Sequence, residues 1–397
     1  MNKSKKELIN HILEKGTEDI VGKKELKKKL KKGDKLTIKL GLDPTGKDFH
    51  LGHASMLWRL RFFQELGHKV VFIIGDFTAK IGDASDKEEM RDKITDEEIK
   101  ENMKDYKEQL SKILDMSKVE VRYNSEWFND FRLEELIPLA MEFTAQQMIR
   151  RRNFKERWDE EKPIGLHEIL YPLLQGYDSV AIEADVEIGG FDQLFNLKTG
   201  RKIQKFYGQD PQMIITSEML YGLDGREMST SWGNTVNITD IPKDMYGKVL
   251  SLKDELIMNY FNLCAFYSEK ELKRVEKELK EKNPKEVKKE LARAIVSLYY
   301  GKKEAERAEK EFEKVFEKGG IPDDIPEIEI DKDKEGALNL VYATGLVDSK
   351  SQSKRLIKQG AVKIDGEKVK SWKDEIQVEE GMIIKIGKKR FAKIIKK

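Results

Sequence analysis

Ile38-Lys39-Leu40-Gly41-Leu42-Asp43-Pro44-Thr45-Gly46-Lys47-Asp48-Phe49-His50-Leu51-Gly52-His53 is the stretch from which the fold is read. A short apolar run of β character leads into Asp43-Pro44-Thr45-Gly46, which is turn chemistry. Ala54-Ser55-Met56-Leu57-Trp58 then begins a helix behind His50-Leu51-Gly52-His53. Strand, turn and helix in that order aim backbone N–H groups at a phosphate. His50, His53 and the Thr45 hydroxyl add side-chain donors, and Gly52 leaves room for a flat ligand against the backbone. Two polar residues at any helix N-terminus would look the same, but the chain has only 5 histidines and two of them stand here.

Working outward, Leu57 to Leu66 continues the helix and Lys69-Val70-Val71-Phe72-Ile73-Ile74-Gly75 is a buried strand. The unit is βαβ, with a right-handed crossover expected. Asp83 follows in the loop Gly75–Ser85, at the edge where an open α/β sheet binds ligands; a capping aspartate is the other reading. Residues 4 to 32 read as helical, the part from Lys23 to Lys32 being basic with spaced leucines, either a solvated face or a nucleic-acid contact. Residues 87 to 160 are charged and mostly helical, broken by Val119–Asn124, and carry the run Arg150-Arg151-Arg152.

In His167–Asp178, Tyr171, Gln175 and Asp178 stand at i, i+4 and i+7 on one helix face, among Leu170, Leu173, Leu174 and Val180. Such a face predicts a pocket wall. Glu187-Ile188-Gly189-Gly190-Phe191-Asp192-Gln193 then suits a close backbone approach to a ligand, with a carboxylate for ribose hydroxyls. Asp224–Asn234 is a small-residue loop, either a phosphate-side loop or a surface turn. Residues 246 to 318 form a charged helical block, and Gly319–Pro326 is a linker by composition. From about 336 onward the chain is compact, and basic residues outnumber acidic ones about two to one. Here Ser349–Gly360 reads as a basic helix and Val362–Val369 as a hairpin with an Asp365-Gly366 turn, the composition of a nucleic-acid binder.

Length and composition set the bounds. The 397 residues predict two or three domains, with 39% hydrophobic and 37% charged residues and a net charge of +2 that names no partner. One cysteine, Cys264, leaves no internal disulfide and no zinc cluster. No apolar run approaches the roughly 18 residues of a membrane helix, and the N-terminal segment is too polar for a secretory signal. A cytosolic protein without membrane partners is expected.

Taken together, KLGLDPTGKDFHLGH (39–53), IGDFTAKIGD (74–83), YNSEW (123–127), HEILYPLLQGYDSV (167–180), ADVEIGGFDQLFNL (184–197), GQDPQ (208–212), GLDGREMSTSWGN (222–234) and SKSQSKRLIKQGAVKIDGEKV (349–369) resemble the bacterial tyrosyl-tRNA synthetases, over nearly the whole chain. HLGH is similar to the HIGH signature of class I aminoacyl-tRNA synthetases, and the tail to an S4-type RNA-binding domain.

The resemblance implies an α/β fold: a Rossmann-like parallel-sheet catalytic domain over 1–245 with a connective insertion near 90–165, a helical domain over 246–330, and a small α+β S4 domain over 331–397. It implies L-tyrosine, ATP with Mg2+ and tRNA(Tyr) as partners, no tightly bound cofactor or metal, and a homodimer joined around 120–165. By the same resemblance Thr45, His50 and His53 hold the ATP phosphates, joined by Arg226, Ser229, Thr230 and Ser231 of the loop. Asp83, Tyr171 and Gln175 bind the tyrosine ammonium, Asp178 accepts from the phenol, Gln193 lies near the reacting carboxylate, and Gly41 belongs to the tyrosine site. Asp43, Gly52, Gly190, Asp192 and Met228 serve ATP, with Gly190 and Asp192 at the ribose, and Lys350, Lys354, Arg355 and Lys358 serve RNA.

Two departures stand out. The family loop Lys-Met-Ser-Lys-Ser is here Glu227-Met228-Ser229-Thr230-Ser231, one residue shorter and without either lysine, which leaves Arg226, Lys47 or Lys80 as replacement cations. Lys39 stands where many relatives have a phenol-binding tyrosine. The rival readings are a tryptophan–tRNA ligase of the same fold and an RNA-binding protein with a degenerate synthetase domain.

Overall fold

A computed structural model describes residues 4–83, 94–317, 325–387 and 390–396. Ala84 and Ser85 of the Asp83 loop, and Gly319 to Asp324 of the expected linker, lie outside the described residues. The chain forms two compact units, Met1–Ala305 and Glu306–Lys397.

The first unit is built on a six-stranded sheet: β1 (Thr17–Val21), β2 (Thr37–Leu42), β3 (Lys69–Ile74), β4 (Val119–Tyr123), β5 (Val186–Gly190) and β6 (Met213–Ser217), in the order β1-β6-β5-β2-β3-β4. All pairs are parallel except β1 with β6. β2 is central. Its Ile38, Lys39 and Leu40 are buried, and it pairs Thr37 to Leu42 with Lys69 to Ile74 of β3. A strand covered on both faces is expected to read as a near-continuous apolar run, which makes Lys39 an anomaly. Helices α1 (Lys5–Leu13), α2 (Lys23–Lys32) and α3 (Leu51–Glu65) complete this end of the unit, and α3 is the crossover from β2 to β3. The chain leaves β2 toward β3 on one side and returns to β5 on the other, so the topological switch point lies between β2 and β5, where ligands bind beyond the carboxyl ends of the strands.

The expectation of continuous helix over 4–32 is corrected by β1, which pairs Asp19 with Thr216 and Val21 with Ile214. Its partner is remote in sequence, so no local pattern announces it. The expected division at residue 245 does not separate compact units either. The helix Pro242–Leu250 packs on the helix Pro284–Tyr300. Trp58 Nε1 on α3 donates to Tyr299 Oη at 3.4 Å, and Lys112 Nζ donates to the Ile238 carbonyl at 3.0 Å and to Tyr300 Oη at 3.2 Å. These bonds tie the helical block to the sheet.

In the second unit, a five-stranded sheet and a two-stranded one enclose Leu340, Val341, Ile357, Val362, Ile384 and Ile394. The strand Glu327–Ile330 pairs in parallel with Arg390–Lys396, so an edge at residue 330 would cut this sheet. Asp365 and Gly366, at φ 47° and 88°, form the tight turn expected of the hairpin. The helix Lys350–Lys358 buries Ser353 and Ile357 and exposes Lys350, Arg355 and Lys358, while Lys354 Nζ lies 4.1 Å over the Trp372 ring.

Candidate active site

A cavity of about 720 Å³ opens at the switch point. Of the expected site residues in the first unit, all line it except Arg226 and Ser231, and nothing is described of the Ser231 side chain. Residues spread from Gly41 to Thr230 therefore meet in one space.

At one end stands the helix Leu166–Ala181. Asp178 is buried and accepts from Trp127 Nε1 at 3.0 Å, and the Asn124 side chain also hydrogen-bonds to it. Burial pushes its carboxyl up to about 7, against the opposing pull of Lys39, these two hydrogen bonds offsetting part of the rise. Two turns earlier on the same face, Tyr171 Oη donates to Asp43 Oδ2 at 3.0 Å, while Thr78 Oγ1 donates to Asp43 Oδ1 at 2.7 Å. Burial, reinforced by the neighbouring carboxylates, raises the Tyr171 phenol well above its ordinary range, so it stays a donor. Gln193 Nε2 donates to Asp83 Oδ2 at 2.6 Å, and Asn196 Nδ2 donates to both Gln175 Oε1 and Gln193 Oε1 at 2.9 Å. Arg151, sandwiched between the rings of Phe154 and Phe195, brings a guanidinium nitrogen to 3.8 Å from Asp83.

At the other end α3 begins. His50 is its N-cap, with Nδ1 accepting from the Gly52 amide at 3.2 Å. That bond assigns the remaining proton of a neutral imidazole to Nε2. A Cβ on Gly52 would lie 2.9 Å from the His50 ring, so the glycine makes room for this histidine, a nearer reason than room for a ligand. Likewise a Cβ on Gly190 would lie 2.3 Å from Asp192 Oδ1. His50 and His53 stack at 3.8 Å. Desolvation, with repulsion from His53, drives His50 down to about 2, and desolvation drives His53 to about 4. Both rings are neutral, able to donate a hydrogen bond but not to act as cations.

The loop that lacks lysine is a compact knot. Asn234 accepts from the Ser229 amide at 2.9 Å and donates to Asp224 Oδ1 at 2.8 Å and to the Glu227 carbonyl at 2.9 Å. Met228 is buried, and Thr230 Oγ1 lies 3.9 Å from where a Cβ on Gly46 would stand. None of the three replacement cations faces the cavity: Arg226 Nε donates to Asp224 Oδ2 at 2.8 Å and its guanidinium stacks 4.0 Å over Trp232, Lys47 pairs with Glu101 at 3.2 Å, and Lys80 pairs with Asp96 at 2.7 Å. Among the described lining residues there is no lysine or arginine, against the carboxylates Asp43, Asp48, Asp83, Asp178, Asp192, Glu218 and Glu227.

Residues 3–317 match the family described as tRNA synthetases class I (W and Y), and residues 316–394 match the tyrosine--tRNA ligase SYY-like C-terminal domain. The tyrosine--tRNA ligase of Thermotoga maritima is 45% identical over 386 residues, 96% of each chain, and that of Desulfotalea psychrophila 46% over 392 residues, 97% of each. This chain belongs to the tyrosine–tRNA ligase family. It is an aminoacyl-tRNA synthetase that consumes ATP and joins tyrosine to tRNA. The tyrosyl-tRNA synthetase of Archaeoglobus fulgidus solved with L-tyrosine shares the fold, with a TM-score of 0.61 at 20% identity over 77% of this chain and all 100% of that one. The Aspergillus nidulans mitochondrial enzyme does so at 0.64 and 21%, over 78% and 94%.

For a tyrosine–tRNA ligase, the reading from sequence left out several side chains that shape the pocket. Asn124 and Trp127 stood inside YNSEW without a role, and both bond to Asp178. Asn196 had no signal beyond polarity, and Arg151 showed only as part of the basic run Arg150-Arg151-Arg152. Lys39, placed by resemblance near the phenol, is fully buried and does not line the cavity.

Proposed function

We propose that the cavity runs both ends of the first half-reaction in one space, and its continuity from His50 and His53 to Asp178 carries this reading. Tyrosine lies along the helix Leu166–Ala181, its phenol on Asp178 and its ammonium among Asp83, Tyr171 and Gln175, with Gly41 in the floor and Gln193 by the carboxylate. Asp192 and Gly190 take the ribose of ATP; Asp43, Gly52 and Met228 border the nucleotide; Thr45, His50, His53, Ser229 and Thr230 face the phosphates. A tyrosine carboxylate oxygen attacks the α-phosphorus, the bond to pyrophosphate breaks, and tyrosyl-adenylate forms. A hydroxyl of the 3′-terminal adenosine of tRNA(Tyr) then takes the tyrosyl group and AMP leaves. No protein nucleophile is needed; the chain positions the reactants and stabilises charge. Tyrosine-dependent exchange of pyrophosphate into ATP tests the first step.

Mg2+ bound with ATP would neutralise phosphate charge. It takes oxygen ligands, few of them from protein. Asp48 and Glu227, carboxylates on a wall without lysine, fit that donor chemistry. The loop invites a direct measurement. Thr230→Lys would place an ammonium beside the phosphates, and the activation rate is expected to rise about tenfold or more, since such charge-assisted contacts form mainly in the transition state. An unchanged or lower rate in pre-steady-state adenylate formation would show that the Asn234 knot holds this side chain off the phosphates.

Lys350, Lys354, Arg355 and Lys358 make the second unit the tRNA contact. Deleting residues 325–397 removes its sheets whole and is expected to spare tyrosyl-adenylate formation while impairing tRNA charging and flattening the salt dependence of tRNA affinity. Full charging by the truncated enzyme would refute this. We also propose a homodimer: Leu133, Ile137 and Met141 expose one apolar face of the helix Leu133–Met141, at 69%, 50% and 80%. A cytosolic setting fits the free, buried Cys264 and the absence, among the described residues, of any helix long and apolar enough to cross a membrane.

A further inference from the structure

Lys39 is wholly buried in the central strand, with Nζ 2.7 Å from Glu187 Oε1 on β5. The same nitrogen donates to the Gln175 carbonyl at 3.0 Å and to Ser179 Oγ at 2.8 Å. Those two acceptors flank Asp178 on its helix, three residues before it and one after, so the ammonium is pinned under the turn that presents the carboxylate. Glu187 is held in turn by Ser179 Oγ at 3.2 Å and by the Gln212 amide. Gly41 lies between: a Cβ there would be 4.0 Å from Lys39 Cε, and Gly41 lines the cavity while Lys39 does not. An apolar pair of the same volume would fill this space without desolvating two charges. Stability of the sheet therefore does not explain the pair, whereas the charge it sets beside Asp178 does.

We propose that Lys39 is a positioning residue for amino-acid choice: held by Glu187, Ser179 and the Gln175 carbonyl, it stabilises the negative charge on Asp178 from beneath the pocket floor, and tyrosine is preferred over phenylalanine partly through a residue that never touches substrate. The proposal rests on Asp178 as the phenol acceptor. An ionised carboxylate accepts a stronger hydrogen bond than a neutral carboxyl, so tyrosine binding has an acid limb set by Asp178. The charged and titratable groups facing Asp178 are Lys39 on β2, Glu187 on β5 and Tyr171 on its own helix, with the neutral donors Trp127 and Asn124. Lys39 lowers the Asp178 carboxyl more than Glu187 raises it.

The two partners therefore act with opposite sign, which a structural role does not. In the full-length enzyme, Lys39→Met is expected to move the acid limb of tyrosine binding up by about one pH unit, and to cut the tyrosine-over-phenylalanine ratio of kcat/KM about fivefold at pH 7, leaving the KM for ATP unchanged. Glu187→Gln should move the limb down. Limbs that move together, or do not move, overturn the proposal. Should Lys39→Met not fold, the double variant Lys39→Met/Glu187→Gln leaves no unpaired buried charge, and its limb should still lie above that of the wild type; an unmoved limb there overturns the proposal as well. Loss of preference in Asp178→Ala with wild-type limbs in these variants defeats the role of Lys39 alone, whereas retained preference in Asp178→Ala defeats the reading beneath it.

Discussion

Replacing Asp178 with alanine is expected to remove most of the preference for tyrosine over phenylalanine, about 100-fold in the ratio of kcat/KM values for pyrophosphate exchange. The two substrates differ by one hydroxyl, and an apolar pocket distinguishes them poorly. A buried acceptor distinguishes them well, because phenylalanine leaves it unpaired and desolvated, at about 1–3 kcal/mol and more for a charged group. Asp178 is only 4% exposed and already strained by burial, as its carboxyl near 7 shows. Trp127 and Asn124 still donate to it when phenylalanine is bound, so the penalty is not that of a bare buried charge. The alanine variant frees the Trp127 indole N–H but also removes a carboxyl that burial holds up at about 7, two effects of opposite sign, so the melting temperature should change little, which separates a folding effect from a choice between substrates. A ratio near wild type in a folded, active variant would remove Asp178 from the phenol.

Much of this site was legible in the sequence for two physical reasons. A strand buried on both faces shows as an apolar run, so β2 and β3 with the intervening helix could be read directly. A helix face repeats at i, i+4 and i+7, so Tyr171, Gln175 and Asp178 announced a shared wall before any partner was known. The remainder depended on contacts between distant segments. β1 has no apolar rhythm of its own and exists because β6 offers an edge. Lys39 reads only as the residue that stands where many relatives have a phenol-binding tyrosine, until Glu187 is found against it. Arg226 reads as a free cation until Asp224 and Trp232 are seen to hold it. The helical block reads as a separate domain until Lys112 and Trp58 bond to Tyr300 and Tyr299.

His53→Ala and His50→Ala are each expected to slow tyrosyl-adenylate formation by about 10²–10³ in kcat, with tyrosine binding nearly unchanged, the effect of removing a donor aimed at charge that develops in the transition state. The two variants should differ in stability. His50 caps α3 through Nδ1, and losing an N-cap costs about 1 kcal/mol, whereas no bond of that kind is assigned to His53. Their pH behaviour follows from burial. Held at about 2 and about 4, both rings are neutral throughout the physiological range, so neither should put a titration between pH 6 and 8 into the activation rate. In the unfolded chain the same rings take up protons near 6.5. The unfolded state therefore binds more protons than the folded one as the pH falls below that value, and stability is lost progressively from about pH 6.5 down to about 4 through His53 and to about 2 through His50. His53→Ala should flatten that part of the stability curve, measured by urea unfolding at a series of pH values. An activation rate at wild-type level in both variants would make the stacked pair a structural cap on α3, and the phosphates would then have to be held by the amides of that helix, Thr45 and the loop hydroxyls alone.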